Sequence, residues 1–206
     1  EIEVSNDRYF RTSELLCCLT DTPRTNLNYY YPKISRPYRY VRFTPPPPAY
    51  PTADCRAEIA ELAFFDSVDS EEHLPSKAIY GGGPVDENPA HDIDKACDDD
   101  WLTFYYSSGP RDSIVLDLQR ASTIKKILFV PRNDDNFITP GNVYELFYQS
   151  GVKGWISLGV QTATTNELVY RNIPEGALLW LRNLTRGKEE QVFYVEDGEQ
   201  KFVGYE

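Results

Sequence analysis

Methionine is absent from this 206-residue chain. The sequence therefore does not open on an initiator, and it reads as processed or excised from something longer: an exported protein without its leader, or a fragment of a modular protein. Histidine is scarce, with only His73 and His91. No apolar run approaches the roughly 18 residues of a spanning helix, and no signal-peptide pattern is present. Basic residues form no stripe. Net charge is −11, of which the first 66 residues contribute −1 and the remainder −10. Nucleic acid and anionic membrane surfaces are poor partners for such a surface. The four cysteines, Cys17, Cys18, Cys55 and Cys97, match no zinc-ligand spacing. Adjacent Cys17 and Cys18 would point to opposite faces of a strand. They read as buried free thiols, with a bridge from Cys55 to Cys17 or Cys18 as the alternative.

What is plentiful points to β structure. There are 15 tyrosines and 15 prolines, and aromatics make up 14% of the chain. Tyrosine suits strands and binding surfaces, whereas proline interrupts helices. Strands are predicted at 2–5, 15–19, 27–31, 38–43 and 59–65, then at 114–118, 124–130, 144–148, 155–159, 167–170, 177–181 and 191–195. The stretch YRYVRF, 38–43, alternates in the manner of a half-buried strand. Four consecutive prolines, 45–48, impose an extended loop. Residues 81–84, GGGP, form a turn rather than a phosphate cradle, because neither a helix nor a Lys-Ser/Thr pair follows.

Parts of the chain repeat. Tyr40-Val41-Arg42 lies over Trp180-Leu181-Arg182, and Glu61-Leu62-Ala63-Phe64-Phe65 over Glu190-Gln191-Val192-Phe193-Tyr194. The pattern implies that residues 1–66 are the C-terminal half of one sandwich, 67–76 a linker and 77–206 a complete second copy.

Four motifs in order carry a family resemblance. KACDDDWLTF, 95–104, resembles the A-x-D-G-D-x-x-T-F/W stretch of discoidin domains, also called coagulation-factor type C domains, which include the family-32 carbohydrate-binding modules. IVLDL, 114–118, resembles the strand after it. Pro131-Arg132-Asn133-Asp134 with Asn136 is similar to the sugar-binding P-R-x-D…N loop, and the Glu190 segment to the last strand. The tail 181–190 resembles tandem modules of Bacteroidetes surface proteins. The resemblance implies an all-β, antiparallel jelly-roll β-sandwich of galactose-binding type. It also implies a structural calcium ion, with carbonyls from Lys95 and Asp100 and side-chain oxygens from Asp98, Thr103 and Glu190. Asp99 stands where the family has glycine. The plainer reading of this bend is an acidic turn in which Asp98 caps backbone amides.

The ligand loop is 131–143. Arg132 offers a planar fork of donors, Asn136 both donates and accepts, and Phe137, Trp101, Tyr105 or Tyr106 offers a ring for the apolar face of a pyranose. The alternative is that Arg132 pairs with Asp134 or Asp135 and that the rings are core. Galactose binders of the family carry a histidine just after the T-F/W stretch, where this chain has Tyr105-Tyr106-Ser107. No nucleophile elbow or paired-carboxylate pattern marks an enzyme, and Asn183-Leu184-Thr185 is treated as a chance sequon. The expected function is non-catalytic glycan or glycoprotein binding within a larger secreted, periplasmic or cell-surface protein. The alternatives are a protein–protein adhesion module that has lost sugar binding, and an accessory domain of a hydrolase.

Overall fold

The computed structural model describes residues 1–20, 23–24, 27–47, 56–84 and 88–204. Cys55 and the end of the four-proline run lie outside them. The chain is mostly β, in three antiparallel sheets, and it divides into two compact units, Glu1–Asp135 and Asn136–Glu206.

The first unit has nine strands among its described residues: β1 Ile2–Ser5, β2 Glu14–Cys17, β3 Asn28–Tyr30, β4 Tyr38–Phe43, β5 Glu58–Phe65, β6 Lys77–Tyr80, β7 Tyr105–Tyr106, β8 Ile114–Ser122 and β9 Lys126–Pro131. They form a five-stranded sheet of order β2-β1-β4-β8-β6 and a four-stranded sheet of order β3-β9-β5-β7. Strand β4 shows how the pattern is used. Val41 and Phe43 are buried while Tyr40 and Arg42 face outward, and an irregularity between Tyr38 and Tyr40 absorbs the imperfect alternation at its start. Ile2, Val4, Ile114 and Leu116 from the larger sheet share one apolar core with Ile59, Leu62, Phe64, Ile127 and Phe129 from the smaller. Phe43 stacks on Phe129 across that core at 5.5 Å. Two sheets joined by interdigitated inner faces make a β-sandwich.

This arrangement revises the predicted domain boundaries. β4 from residues 1–66 pairs with β8, and β5 pairs with β9. The first 66 residues are therefore not half of a separate sandwich. Their open edges are paired by strands from 77–131, which satisfies the backbone groups that an isolated half would expose. Nor is 67–76 a free linker. Leu74 is buried, its N–H donates to Phe64 O at 2.6 Å, and Lys126 Nζ donates to Ser70 O at 2.5 Å.

The second unit is one sheet. β10 Val143–Gln149, β11 Trp155–Thr162, β12 Leu179–Asn183, β14 Phe193–Glu196 and β15 Glu199–Phe202 run in the order β11-β10-β12-β14-β15, and β13 Lys188–Glu189 pairs with β12. Trp155, Trp180 and Phe147 form an aromatic row, with centroids 5.6 and 5.5 Å apart. The predicted strand at 167–170 is coil. Its backbone is used by a side chain instead, as Gln161 Nε2 donates to Val169 O at 2.8 Å. Asn183, the sequon residue, is buried and donates to the Tyr144 hydroxyl at 3.2 Å.

Among the described residues Cys17, Cys18 and Cys97 are free thiols. Cys17 packs against the core, but Cys18 is exposed, which corrects the expectation that it is buried.

Candidate functional site

Strand β7 lies at the edge of the four-stranded sheet, and its two residues divide as the pleat requires. Tyr105 turns inward and is fully buried, its hydroxyl donating to Gly82 O at 3.1 Å. Tyr106 turns outward and is half-buried. The structure thus removes Tyr105 from the expected ligand set, because a ring packed on every side has no face to offer.

Beside Tyr106 lies a cluster the sequence reading did not assemble. Phe104, the last residue of the KACDDDWLTF stretch, is half-buried, packs against the apolar cluster of Ala63, Phe65 and Leu128, and carries the Arg132 guanidinium over its ring at 4.6 Å. His91, from the short 3-10 turn Pro89–His91, lies 4.4 Å from the Phe104 ring and 6.4 Å from that of Tyr106. Arg56 sits over Tyr106 at 6.0 Å. The His91 signal was faint: it lies thirteen positions before Phe104, with no periodicity linking them.

Arg132 is positioned by its neighbours. Nε donates to Asp134 at 2.7 Å and Nη1 to Glu58 at 3.2 Å. The expected alternative pairing with Asp134 is therefore present. Two of about five guanidinium donors are engaged, and the side chain stays 38% exposed, which leaves an outward part of the fork for a ligand. The hydrogen bond to Asp134 holds its pKa above the ordinary arginine value. Asn133 fixes the loop base. It is buried, its Nδ2 donates to Trp101 O at 2.8 Å, and its Oδ1 accepts from Asp135 N at 2.8 Å. This side-chain turn accompanies positive φ at Asp134 and Asp135, 49° and 62°, a region that aspartate tolerates better than most residues.

Trp101 packs against Ala63, Phe65 and Leu128 on the outer face of the smaller sheet. There it lines a hollow of about 370 Å³ with Glu61, His73 and Lys126. Asn136 and Phe137 belong to the second unit, so they are not joined to Arg132 within one unit.

The acidic bend holds four of the five expected calcium residues. Asp98 accepts from Thr103 Oγ1 at 3.0 Å, from Lys95 Nζ at 3.1 Å and from Asp100 N at 3.2 Å. Asp98 therefore caps the turn, as the plainer reading held, and Lys95 supplies its counter-charge. Asp99 has φ 63°, the left-handed region that glycine favours and aspartate tolerates. The fifth residue, Glu190, lies in the second unit and pairs with Lys188 at 3.2 Å. At the bend stands Glu61 of β5. It is 2% exposed and accepts from Asp99 N at 3.0 Å. Burial pushes its carboxyl up to about 8, with Asp99 and Asp98 adding repulsion. Among the described residues no cluster of three or more His, Cys, Asp or Glu side chains is arranged to hold a metal ion. Thr103 and Asp98 are also closed onto each other. The four expected residues at the bend are bonded among themselves, and the buried Glu61 carboxyl beside them makes no ion pair with a described residue.

The fold and cluster define an all-β chain whose first unit is an antiparallel sandwich with an aromatic–arginine surface at one sheet edge. Comparisons with protein-family models, curated proteins and solved structures returned no match. No described helix is long and apolar enough to cross a membrane.

Proposed function

We propose that the first unit is a discoidin-like, non-catalytic glycan-binding sandwich. In this reading it belongs to a secreted, periplasmic or cell-surface modular protein, with glycan or glycoprotein and the parent's other domains as partners. The observation that carries the reading is the Arg132 guanidinium laid over Phe104 beside His91 and Tyr106. A partly exposed fork of donors next to partly exposed rings matches a sugar's two surfaces, its equatorial hydroxyls and its apolar C–H face. Asp134 and Glu58 hold the guanidinium in one orientation, which lowers the ordering cost of binding. In this reading Glu61 takes the calcium role expected of Glu190, with Asp98, Thr103 and the carbonyls of Lys95 and Asp100.

The test is a glycan array followed by titration calorimetry on the best hit. Wild type binds, while R132A and F104A each lose at least about tenfold in affinity with an unchanged melting temperature. An array without hits, or a hit indifferent to both substitutions, removes the reading. One observation favours the adhesion alternative: two Arg132 donors are already committed to carboxylates. Retained binding to a protein partner by R132A would establish it.

A further inference from the structure

The outer face of the five-stranded sheet carries a second hollow, of about 610 Å³. That is within the roughly 300–1,000 Å³ typical of small-molecule sites. Its floor is a row across the pleat: Arg42 lies opposite Val115, and Val115 opposite Tyr80. The β1–β2 loop supplies Arg8, Tyr9 and Phe10 on one side, and the turn before β8 supplies Arg111 on the other.

Three guanidinium groups converge here in a chain of net charge −11, so the local charge opposes the global one. They are not equivalent. Arg42 donates twice to Glu3 and lies over the Phe10 ring at 4.5 Å; it is neutralised and braced. Arg8 and Arg111 make no ion pair or side-chain hydrogen bond with any described residue. The one carboxylate in the lining, Asp112, is committed to its own turn, accepting from Gly109 N at 2.7 Å and Ser108 Oγ at 3.1 Å. That turn packs so closely on Gly82 that a Cβ there would fall 2.3 Å from Asp112 Oδ2. Arg111 itself has φ 63°, a left-handed backbone in which a non-glycine residue is uncommon. The turn therefore presents Arg111 from a defined point. Tyr9 and Tyr80, 76% and 67% exposed, flank the hollow; the Arg11 guanidinium lies over the Tyr9 ring at 5.8 Å, and the Tyr80 ring is the more open platform.

We infer that this hollow is a second ligand site, selective for an acidic saccharide. The sugar's carboxylate or sulfate would be taken by Arg8 and Arg111, and its ring by Tyr9 or Tyr80. Guanidinium forks match the geometry of such oxyanions, and tyrosine faces suit the C–H side of a pyranose. The site is separate from the Arg132 cluster and does not depend on it.

Calorimetry on the full chain tests this with four probes: a hexamer of galacturonate, a sulfated galactan hexamer, its neutral counterpart and inorganic sulfate. At least one acidic hexamer binds wild type, more weakly as salt rises. R8A/R111A reduces that affinity at least tenfold, R8K/R111K reduces it less, and R132A leaves it unchanged. Both arginines are exposed, and an unaltered melting temperature confirms the fold of each variant. Failure of both acidic hexamers to bind, equal binding by R8A/R111A, or inorganic sulfate binding as tightly as the hexamers would overturn the inference. Loss of neutral-glycan binding in R132A reports on the other site alone.

Discussion

Glu61 Oε2 accepts a hydrogen bond from the backbone N–H of Asp99 at 3.0 Å, which joins the middle of β5 to the acidic bend. Burial dominates this carboxyl and raises its pKa from 4.5 to about 8. A raised carboxyl binds its proton more tightly folded than unfolded. Its contribution to stability is therefore complete below pH about 4.5 and is lost as pH rises through about 8. The loss approaches about 1.4 kcal/mol per pH unit inside that window. In chelator-containing buffer, urea melts of E61Q should show a flatter pH profile and a higher midpoint than wild type at pH 8. Added calcium should stabilise wild type at that pH and leave E61Q unmoved. A calcium effect of equal size in both proteins would remove Glu61 from the metal reading.

The same residue shows what the sequence made legible. Strand positions followed from alternation: Tyr38–Phe43 and Ile2–Ser5 form as expected, because a period of two with one buried face specifies itself locally. The likeness in residue pattern between the Glu61 and Glu190 segments was visible too. Which glutamate meets the Asp98 bend was not, since it depends on β5 pairing with β9 rather than on any nearby residue. The predicted boundaries near residue 66 diverged for the same reason, as the sequence does not display strand order. Arg132 was expected in the 131–143 loop from motif position, and the structure lays it over Phe104 beside His91 and Tyr106. Tyr105 was misassigned, because only the register of Ile59 opposite Tyr105 decides which of two adjacent tyrosines turns inward.

That register yields a direct contrast. Tyr105 is fully buried and Tyr106 is half-buried beside Phe104. Y106A should weaken glycan binding several-fold and change stability little. Y105A should instead cost about 3–5 kcal/mol of stability, as expected for a large aromatic core truncation. Calorimetry and urea denaturation of the pair separate the two roles. Equal binding loss at unchanged stability in both would contradict the assignment.

The thiols should differ in reactivity. Burial pushes Cys17 and Cys97 up to about 11, so little thiolate exists at neutral pH, while Cys18 is exposed. Iodoacetamide at pH 7.5 should label Cys18 at least tenfold faster than Cys17 or Cys97, read peptide by peptide by mass spectrometry. Unfolding in urea should erase the difference. Equal native rates for Cys17 and Cys18 would mean that the end of β2 opens readily.

The sandwich rests on contacts between its two sheets, and Phe43 on Phe129 is a direct test. Their rings stack at 5.5 Å with an interplanar angle of 18°, and Phe129 and Phe43 are 5% and 7% exposed. The pair links β4 with β9, strands of different sheets, so it cannot be replaced by backbone pairing. F129A removes a buried ring and leaves a cavity that neighbours on fixed strands fill only in part, at a cost of about 3–5 kcal/mol. F129L keeps most of the volume and should cost about 1–2 kcal/mol. If the rings contribute beyond area burial, the double-mutant cycle with F43L should return a coupling of about 0.5–1.5 kcal/mol. A coupling of zero would mean that the two sheets are held by volume alone.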